Sequence, residues 1–126
     1  MKKKNYKKGK IGEEIAGEFL RKKGYIVLDQ NWKNRYGEID LVCTNGDCLV
    51  FVEVKLKMGE DFGTPEEMIS SRKIIQVMRT AESYCLANRR IASKHSKQMV
   101  EAVCIVLDQE NEVVRLDHYE NLTGEL

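Results

Sequence analysis

Two segments of the chain carry apolar residues at helical spacing. The first covers residues 10–23 and ends before Gly24, a residue type that commonly follows a helix C-terminus. The second is predicted over residues 64–88, because Thr64 and Glu67 have the spacing of a capping box. Its predicted buried stripe consists of Met68, Ile74, Ile75, Met78, Ala81 and Cys85.

Between and after these helices the pattern becomes that of β-strands. Residues 25–32 are rich in β-branched and aromatic side chains, and two apolar runs follow within residues 36–55. Two further strands are predicted at 99–107 and 113–119. The order helix, three strands, helix, two strands indicates an α/β fold with a mixed β-sheet flanked by helices. The length suits a single domain over residues 1–126.

A hairpin is predicted within residues 36–55, because Asn45-Gly46 is the preferred dipeptide of a two-residue type I′ turn. Gly37, which has no side chain, leaves room there for a ligand or another backbone. The turn sets a register in which apolar residues share one core face. The resulting pairs are Thr44 with Asp47, Cys43 with Cys48, Leu41 with Val50, and Ile39 with Val52.

The same register gathers charged residues on the other face of the hairpin. Glu38 lies opposite Glu53, Asp40 is a diagonal neighbour of Glu53, and Lys55 follows on the same side. Paired carboxylates need a cation or a proton, and their oxygens suit Mg²⁺ or Mn²⁺, with the Val54 carbonyl as a further ligand. Lys55 is then placed to orient or deprotonate a water, or to stabilise charge on a phosphate. The alternative is an edge strand whose charged side chains simply face solvent.

Charge is distributed unevenly along the chain. Residues 1–35 contain 11 Lys/Arg against 4 Asp/Glu, whereas residues 36–67 contain 2 against 8. Six lysines in the first ten residues predict a basic, flexible arm over residues 1–9, which either binds phosphate or only aids solubility. The four cysteines lack zinc-site spacing and are predicted to be small buried hydrophobes. Because no long apolar run or secretory signal is present, we expect a cytoplasmic protein without a membrane partner.

The charged hairpin resembles a known family. Gly-Glu-Ile-Asp-Leu-Val at 37–42, followed by Phe-Val-Glu-Val-Lys at 51–55, resembles the YraN-like family of uncharacterised bacterial proteins. The resemblance covers roughly residues 9–90. The family is similar to the PD-(D/E)XK restriction-endonuclease-like superfamily, in which Holliday-junction resolvases share the core. It implies a restriction-endonuclease-like core in this chain.

The resemblance also implies roles for individual residues. Asp40 and Glu53 match the metal-binding acids of the superfamily pattern, and Lys55 matches its catalytic lysine. A further acid is expected from the first helix. Helical phase alone leaves Glu13 and Glu18 open, because both lie at similar angles to the apolar stripe. The family's Gly-Glu pattern favours Glu13 as a catalytic and metal-binding residue.

Candidate nucleic-acid contacts are lysines in the basic arm and around the site. Lys57 stands where the family usually has arginine, and Met99-Val100-Glu101 stands where it usually has Arg-Phe-Asp. Lys73 matches a basic position of the family, although a solvated helix face explains it as well. The predicted contact residues are Lys7, Lys8, Lys10, Lys57 and Lys73.

Three functions follow as hypotheses. The first is a Mg²⁺- or Mn²⁺-dependent endonuclease that hydrolyses phosphodiester bonds in DNA. The second is a nucleic-acid-binding domain that retains the nuclease fold without catalysis. The third is a protein-interaction domain whose acids are only a solvated sheet face. A homodimer is expected if both strands of a symmetric substrate are cut.

Overall fold

A computed structural model describes the backbone of residues 2–125 and the side chains of residues 9–123. It contains three α-helices, five strands and two short 3-10 helices. Their bounds are α1 Lys2–Lys22, β1 Ile26–Asn34, β2 Gly37–Asn45, β3 Cys48–Met58, a 3-10 helix Pro65–Met68, α2 Ser71–Ala87, α3 Arg89–Ser93, β4 Lys97–Leu107, β5 Val113–Tyr119 and a 3-10 helix Leu122–Glu125. The predicted α/β class and its mixed sheet are confirmed, and no described helix combines the length and apolar character needed to cross a membrane.

The five strands form one sheet in the order of the sequence, β1-β2-β3-β4-β5. Neighbouring strands are antiparallel except β3 and β4, which are parallel. The connection between β3 and β4 therefore crosses over, and it carries α2 and α3. This arrangement places helices on both faces of the central strands.

Apolar residues on the two faces of the sheet form two separate clusters. On one face α1 contributes Ala16 and Leu20, which pack on Val50, Val52 and other buried strand residues. On the other face α2 packs on a different set from the same strands, comprising Ile39, Val42, Leu49, Phe51 and Val100. Because both faces of β3 are covered, its side chains are buried on both sides through Glu53.

The hairpin register differs from the prediction by two residues. Asn45 pairs with Cys48, so the turn residues are Gly46 and Asp47 and not Asn45-Gly46. Gly46 has φ +61°, as a type II′ turn requires at its first central position. Asp47 is held in this position by Ser96, which donates to it from both its backbone N–H, at 3.1 Å, and its hydroxyl. A shift of two preserves the alternation of faces, so most predicted core residues remain buried.

The predicted pairs change accordingly. Cys43 lies opposite Val50 and Leu41 opposite Val52, while Thr44 pairs with Leu49. Ile39, expected on the same face as Leu41, belongs instead to the α2 cluster. The regular pairing of β2 with β3 stops at Leu41, whereas the pairing of β2 with β1 continues to Gly37.

The predicted second helix is split in two. Thr64 and Glu67 do form a capping box, but it caps the 3-10 helix Pro65–Met68. Ser70, with extended backbone, then caps α2 separately by accepting from the Lys73 N–H at 3.2 Å. The buried stripe of α2 is rotated from the prediction and consists of Val77, Thr80, Ala81 and Tyr84. Of the predicted stripe, Ala81 is buried, whereas Met68, Ile75 and Met78 are exposed.

The first helix begins earlier than predicted. Its backbone is helical from Lys2 and not only from Lys10. The residues predicted as a basic arm therefore continue α1 in the described backbone, and the flexibility of that segment stays a prediction. The side chains of Lys7 and Lys8 lie outside the described residues, and Lys10 is exposed.

A buried polar cluster lies beneath α1, on the face of the sheet that α1 covers. The Glu101 carboxylate, 2% exposed, accepts a hydrogen bond from the Tyr25 hydroxyl at 2.9 Å. His118 Nε2 lies 2.8 Å from the same carboxylate oxygen. The other ring nitrogen of His118 lies 2.9 Å from Lys23 Nζ, at the surface. Three elements are thus joined through one buried acid.

Candidate active site

The candidate site lies where β2 and β3 separate. Beyond the pair Leu41 and Val52, the next residues on the two strands are Asp40 and Glu53. Here a side-chain hydrogen bond takes the place of backbone pairing between the strands, because Asp40 Oδ2 accepts a hydrogen bond from the Val54 N–H at 2.8 Å. The carboxylate is thereby fixed between the strands, beside Glu53.

Asp40 and Glu53 form a close pair of carboxyl groups. The pKa of Asp40 is raised to about 8 by burial, and further by its hydrogen bond with Glu53 and the charge of that group. The Val54 N–H acts in the opposite direction, because it favours the ionised form. The net effect favours the protonated form of Asp40.

Glu53 is also approached by two lysines. Lys73 Nζ from α2 lies 3.2 Å from Glu53 Oε2, and Lys55 Nζ lies 3.9 Å from the same oxygen. Glu53 is 4% exposed, and among the described residues this oxygen has no hydrogen-bond partner. The 3.2 Å contact is therefore an ion pair without hydrogen-bond alignment. A buried carboxylate oxygen without a hydrogen-bond partner is uncommon and calls for an explanation.

Glu13 reaches the same region from α1. Its Oε2 accepts a hydrogen bond from Asn31 Nδ2 at 2.7 Å, and its charge contributes to the raised pKa of Asp40. The same amide nitrogen donates to Glu38 Oε2 at 3.1 Å. Glu18, the other candidate acid, lies on the exposed side of α1 and pairs with Lys22. Of the two acids that helical phase left open, Glu13 is the one near Asp40.

Two glycines allow the helices to approach the site closely. Buried Gly12 faces β3, where a Cβ atom would lie 3.4 Å from the side chain of Leu56. At Gly37 a Cβ atom would lie only 3.1 Å from Gln76 Nε2 and 3.1 Å from Thr80 Oγ1. The space that Gly37 was predicted to leave for a ligand or a backbone is thus occupied by side chains of α2.

The structure brings together most of the predicted site residues. Asp40, Glu53 and Lys55 lie together, and the two acids are the residues that follow the last pair of β2 and β3, where the prediction had them as diagonal neighbours. Their roles stay predictions. Val54 contributes its N–H, while ligation through its carbonyl stays a prediction. Lys73 contacts the site, and Lys57 lies further along β3 and is partly buried. Lys10 stands one helical turn before Glu13 and points to solvent.

The sequence interpretation missed two residues at the site. Asn31 has φ +52°, a left-handed conformation that asparagine tolerates better than most residues. Its amide joins acids from α1 and β2. Gln76 donates to the backbone carbonyl of Tyr36 at 3.0 Å. An asparagine within a β-branched and aromatic run was the available signal for Asn31, whereas Gln76 left none.

The buried Glu53 and the partly buried Asp40 fit a hard divalent cation. Among residues 9–123, no three His, Cys, Asp or Glu side chains are close enough together to form a metal-binding group. Mg²⁺ typically needs only one or two protein carboxylates, because water and substrate phosphate complete its coordination. Asp40 and Glu53 meet that need, because the two carboxyl groups lie together and Glu53 Oε2 is buried without a hydrogen-bond partner among the described residues.

Fold and site together define an α/β protein with a largely buried carboxyl pair where two strands of the sheet separate, approached by lysines. The chain belongs to the Uncharacterised protein family UPF0102, whose model matches residues 12–117. The predicted relationship to the YraN-like family is confirmed at this level.

Individual members of the family are similar over most of this chain. A UPF0102 protein of Syntrophomonas wolfei is 44% identical over 96 residues, covering 76% of this chain and 84% of the relative. Relatives in Dictyoglomus turgidum and Pelotomaculum thermopropionicum are 37% and 38% identical over 113 residues. Each alignment covers 90% of this chain, and 93% and 92% of the respective relatives. The names of these relatives give the family and no activity.

Proposed function

We propose that the protein is a metal-dependent nuclease that hydrolyses phosphodiester bonds in DNA. The observation that carries this proposal is Glu53 Oε2, a buried carboxylate oxygen without a hydrogen-bond partner among the described residues, next to the Asp40 carboxyl group. Two carboxyl groups this close together destabilise the ionised form of the pair, and a divalent cation would neutralise their charge. The sequence resemblance to PD-(D/E)XK nucleases supports the same assignment.

Each residue of the site has a distinct role in this proposal. Asp40 and Glu53 would hold Mg²⁺ or Mn²⁺, and Glu13 adds negative charge from α1. When bound, the cation supplies charge stabilisation to the phosphate. Lys55 orients the attacking water and stabilises charge on the phosphate oxygens. Hydrolysis forms a bond between the water oxygen and phosphorus and breaks the bond from phosphorus to the leaving sugar oxygen.

The test combines Mn²⁺ titration by calorimetry with cleavage assays on linear and branched DNAs. We expect wild-type protein to bind Mn²⁺ and cut at least one substrate, and Asp40→Asn to lose both. Lys55→Met should retain Mn²⁺ binding and lose about 10²- to 10⁴-fold in cleavage rate. Glu110→Gln, a change at an exposed acid, is the matched control and should behave as wild type. Cleavage that survives Asp40→Asn unchanged would overturn the proposal.

A second candidate is a nucleic-acid-binding domain without catalysis. The observation that favours it is the approach of both Lys55 and Lys73 to Glu53, because these cations already neutralise the acid. In that case Mn²⁺ produces no binding heat, and nucleic acid binds with an affinity that falls steeply with salt. Lys73→Met distinguishes the two candidate functions. It removes the ion pair of Lys73 with Glu53, and it should therefore strengthen Mn²⁺ binding only if the protein has a metal site.

A further inference from the structure

The end of β1 runs alongside α2. Trp32 packs edge-to-face on Tyr84 with ring centroids 5.3 Å apart, and four residues later the Tyr36 carbonyl accepts from Gln76. Since the chain moves from 32 to 36 while the contacts move from 84 back to 76, strand and helix are antiparallel here. Residues 33–35 therefore lie alongside the stretch of α2 between Gln76 and Tyr84.

The exposed side of α2 next to Gln76 is cationic. Arg72 and Arg79 lie one turn before and one turn after Gln76, within a narrow arc of the helix surface. Both are exposed, and neither forms an ion pair with any side chain that the structure describes. Arg72 also stands in the first helical turn, where the helix dipole disfavours a cation. An anionic partner would remove that cost.

The tip of the β1–β2 hairpin adds two further cations and an aromatic ring. Lys33 and Arg35 are exposed, and Tyr36 is 49% exposed. The Arg35 guanidinium lies over the Tyr36 ring, 5.0 Å from its centroid, and donates to the Tyr36 hydroxyl at 2.9 Å. Asn34 Oδ1 accepts the Tyr36 N–H at 2.9 Å, which fixes the backbone at the tip. The ring is thus held in place at the surface, with only one face covered by arginine.

We propose that Lys33, Arg35, Tyr36, Arg72 and Arg79, together called the tip surface, bind a nucleic-acid strand with an unpaired base stacked on Tyr36. This inference rests on the proposed function, because it supplies the substrate path to the carboxylate pair. Cations track the phosphates, and an exposed aromatic ring takes the face of any base. Stacking needs an unpaired base, so the tip surface favours single strands and frayed or branched ends over continuous duplex.

The tip surface is continuous with the candidate site. Gln76, which touches the tip, is one turn from Lys73, and Lys73 Nζ lies 3.2 Å from Glu53 Oε2. Gly37 packs against Gln76 and opens β2, the strand that carries Asp40. A nucleic-acid strand bound along the tip surface would therefore reach the candidate active site by passing the first turn of α2.

The first experiment measures affinity for fluorescently labelled single-stranded DNA longer than the roughly 4–16 nucleotides that one binding groove covers, across a salt series without divalent metal. The double variant Arg72→Gln/Arg79→Gln should bind more weakly at low salt. Its slope of log affinity against log salt should fall by about 0.7 for each phosphate that the variant no longer neutralises. The matched control is Arg89→Gln/Arg90→Gln, which removes two exposed arginines of α3 at the far end of α2. Equal reductions of affinity in the two double variants would overturn the inference.

The second experiment tests stacking. Tyr36→Ala should weaken single-strand binding about tenfold or more, whereas Tyr36→Phe should keep it, and duplex of the same length should respond little to either. Equal effects on single strand and duplex would contradict the unpaired base. Thermal unfolding of each variant shows whether it is folded.

The two proposals fail in different ways. Binding that follows this pattern without cleavage under any metal supports the tip surface and removes the nuclease. Cleavage and binding that are insensitive to Arg72 and Arg79 support the nuclease and remove the tip surface. If the protein binds no nucleic acid at low salt, the proposal for the tip surface is rejected.

Discussion

At the scale of single residues, Asp40 is subject to opposing influences. Burial and the neighbouring Glu53 favour its protonated form, while the Val54 N–H favours the ionised form. The balance raises its pKa to about 8, well above the value near 3.9 of an unfolded aspartate. Folding therefore takes up a proton over the intervening pH range, and stability must depend on pH.

The sign of that dependence is testable. Because the folded state binds more protons than the unfolded state between about pH 4 and pH 8, the contribution of Asp40 to stability falls as pH rises through that window. Asp40→Asn, which cannot ionise, should remove this contribution. At pH 8 without divalent metal we expect the variant to exceed wild type, and by more than at pH 5, because each unit by which folding raises the pKa corresponds to about 1.4 kcal/mol. Urea unfolding at pH 5 and pH 8 measures the difference.

Other groups titrate in the same protein, so the comparison is between variants at each pH. The pKa of Glu66 is lowered to about 2, mainly by its hydrogen bonds with Arg115. Its contribution to the stability of the protein is therefore present above the pKa of an unfolded glutamate and is lost as pH falls towards 2. Asp61→Asn, at an exposed acid, serves as the control and should follow wild type. A stability difference between Asp40→Asn and wild type that is equal at both pH values would contradict the expectation.

Asn31 offers a second prediction at this scale. Its side-chain amide lies between the Glu13 and Glu38 carboxylates and donates to both, while its backbone has a left-handed conformation. Asn31→Asp would place a third acid between them, so we expect a loss of about 1 kcal/mol or more at pH 8 that shrinks at pH 4. Chemical denaturation at the two pH values measures it.

Asn31→Gly separates backbone strain from the removal of the amide. Glycine accepts φ +52° without strain, so a loss of stability in this variant reports the hydrogen bonds to the two acids. Equal stability of wild type and Asn31→Asp at pH 8 would show that the amide does not position these acids.

At the scale of elements, the strand positions were predictable and the register was not. Alternation placed Val50 and Val52 in the core and Glu53 on the other face, and a slip of two residues leaves those faces unchanged. The turn dipeptide was ambiguous, because Asn45-Gly46 and Gly46-Asp47 both suit tight turns. The contact of Asp47 with Ser96, distant in sequence, accompanies the second choice.

The rotation of α2 has a similar origin. Ile74, Ile75 and Met78 were predicted to be buried because they are apolar. The side of α2 that packs on the sheet is instead the one that carries Val77 and Tyr84. That side also presents Lys73 to Glu53. Local periodicity ranks residues by hydrophobicity alone, and here packing on Phe51 and on Trp32 of the strands decided the orientation.

The close packing of α2 on the hairpin gives a prediction for Gly37. A Cβ atom there would lie 3.1 Å from both Gln76 Nε2 and Thr80 Oγ1, and it would strain the hydrogen bond from Gln76 to Tyr36. We expect Gly37→Ala to lose about 1–3 kcal/mol, as overpacking does elsewhere. Guanidinium unfolding measures the loss.

Gly9→Ala is the control for that experiment. Apart from its chain neighbours and the helix backbone, no described atom lies within 4 Å of the position of a Cβ atom at Gly9, so alanine there should leave stability unchanged or raise it by up to about 1 kcal/mol through helix propensity. If Gly37→Ala were as stable as Gly9→Ala, the contact between α2 and the tip would not be tight.

At the scale of the whole molecule, the cluster around Glu101 joins the start of β1, the middle of β4 and the end of β5. Removing the acid leaves the Tyr25 hydroxyl and the His118 ring without their buried partner. We therefore expect Glu101→Ala to lose about 3 kcal/mol. Urea unfolding at pH 7 measures it, with Glu110→Ala at an exposed position as the reference. A loss no larger than that of the reference would show that the buried hydrogen bonds contribute no net stability.

The single parallel junction of the sheet has a kinetic consequence. Strands β1 to β3 are linked by short turns, whereas β4 can join β3 only after the chain from 59 to 96 has closed into a loop. Closing that loop costs entropy before any of its contacts form, so the three-stranded meander should order first and the parallel pair later. Pulse-labelled hydrogen exchange during refolding should protect amides of β2 before those of β4, and simultaneous protection would contradict this order. Asp40 and Glu53 would then meet before α2 closes over them.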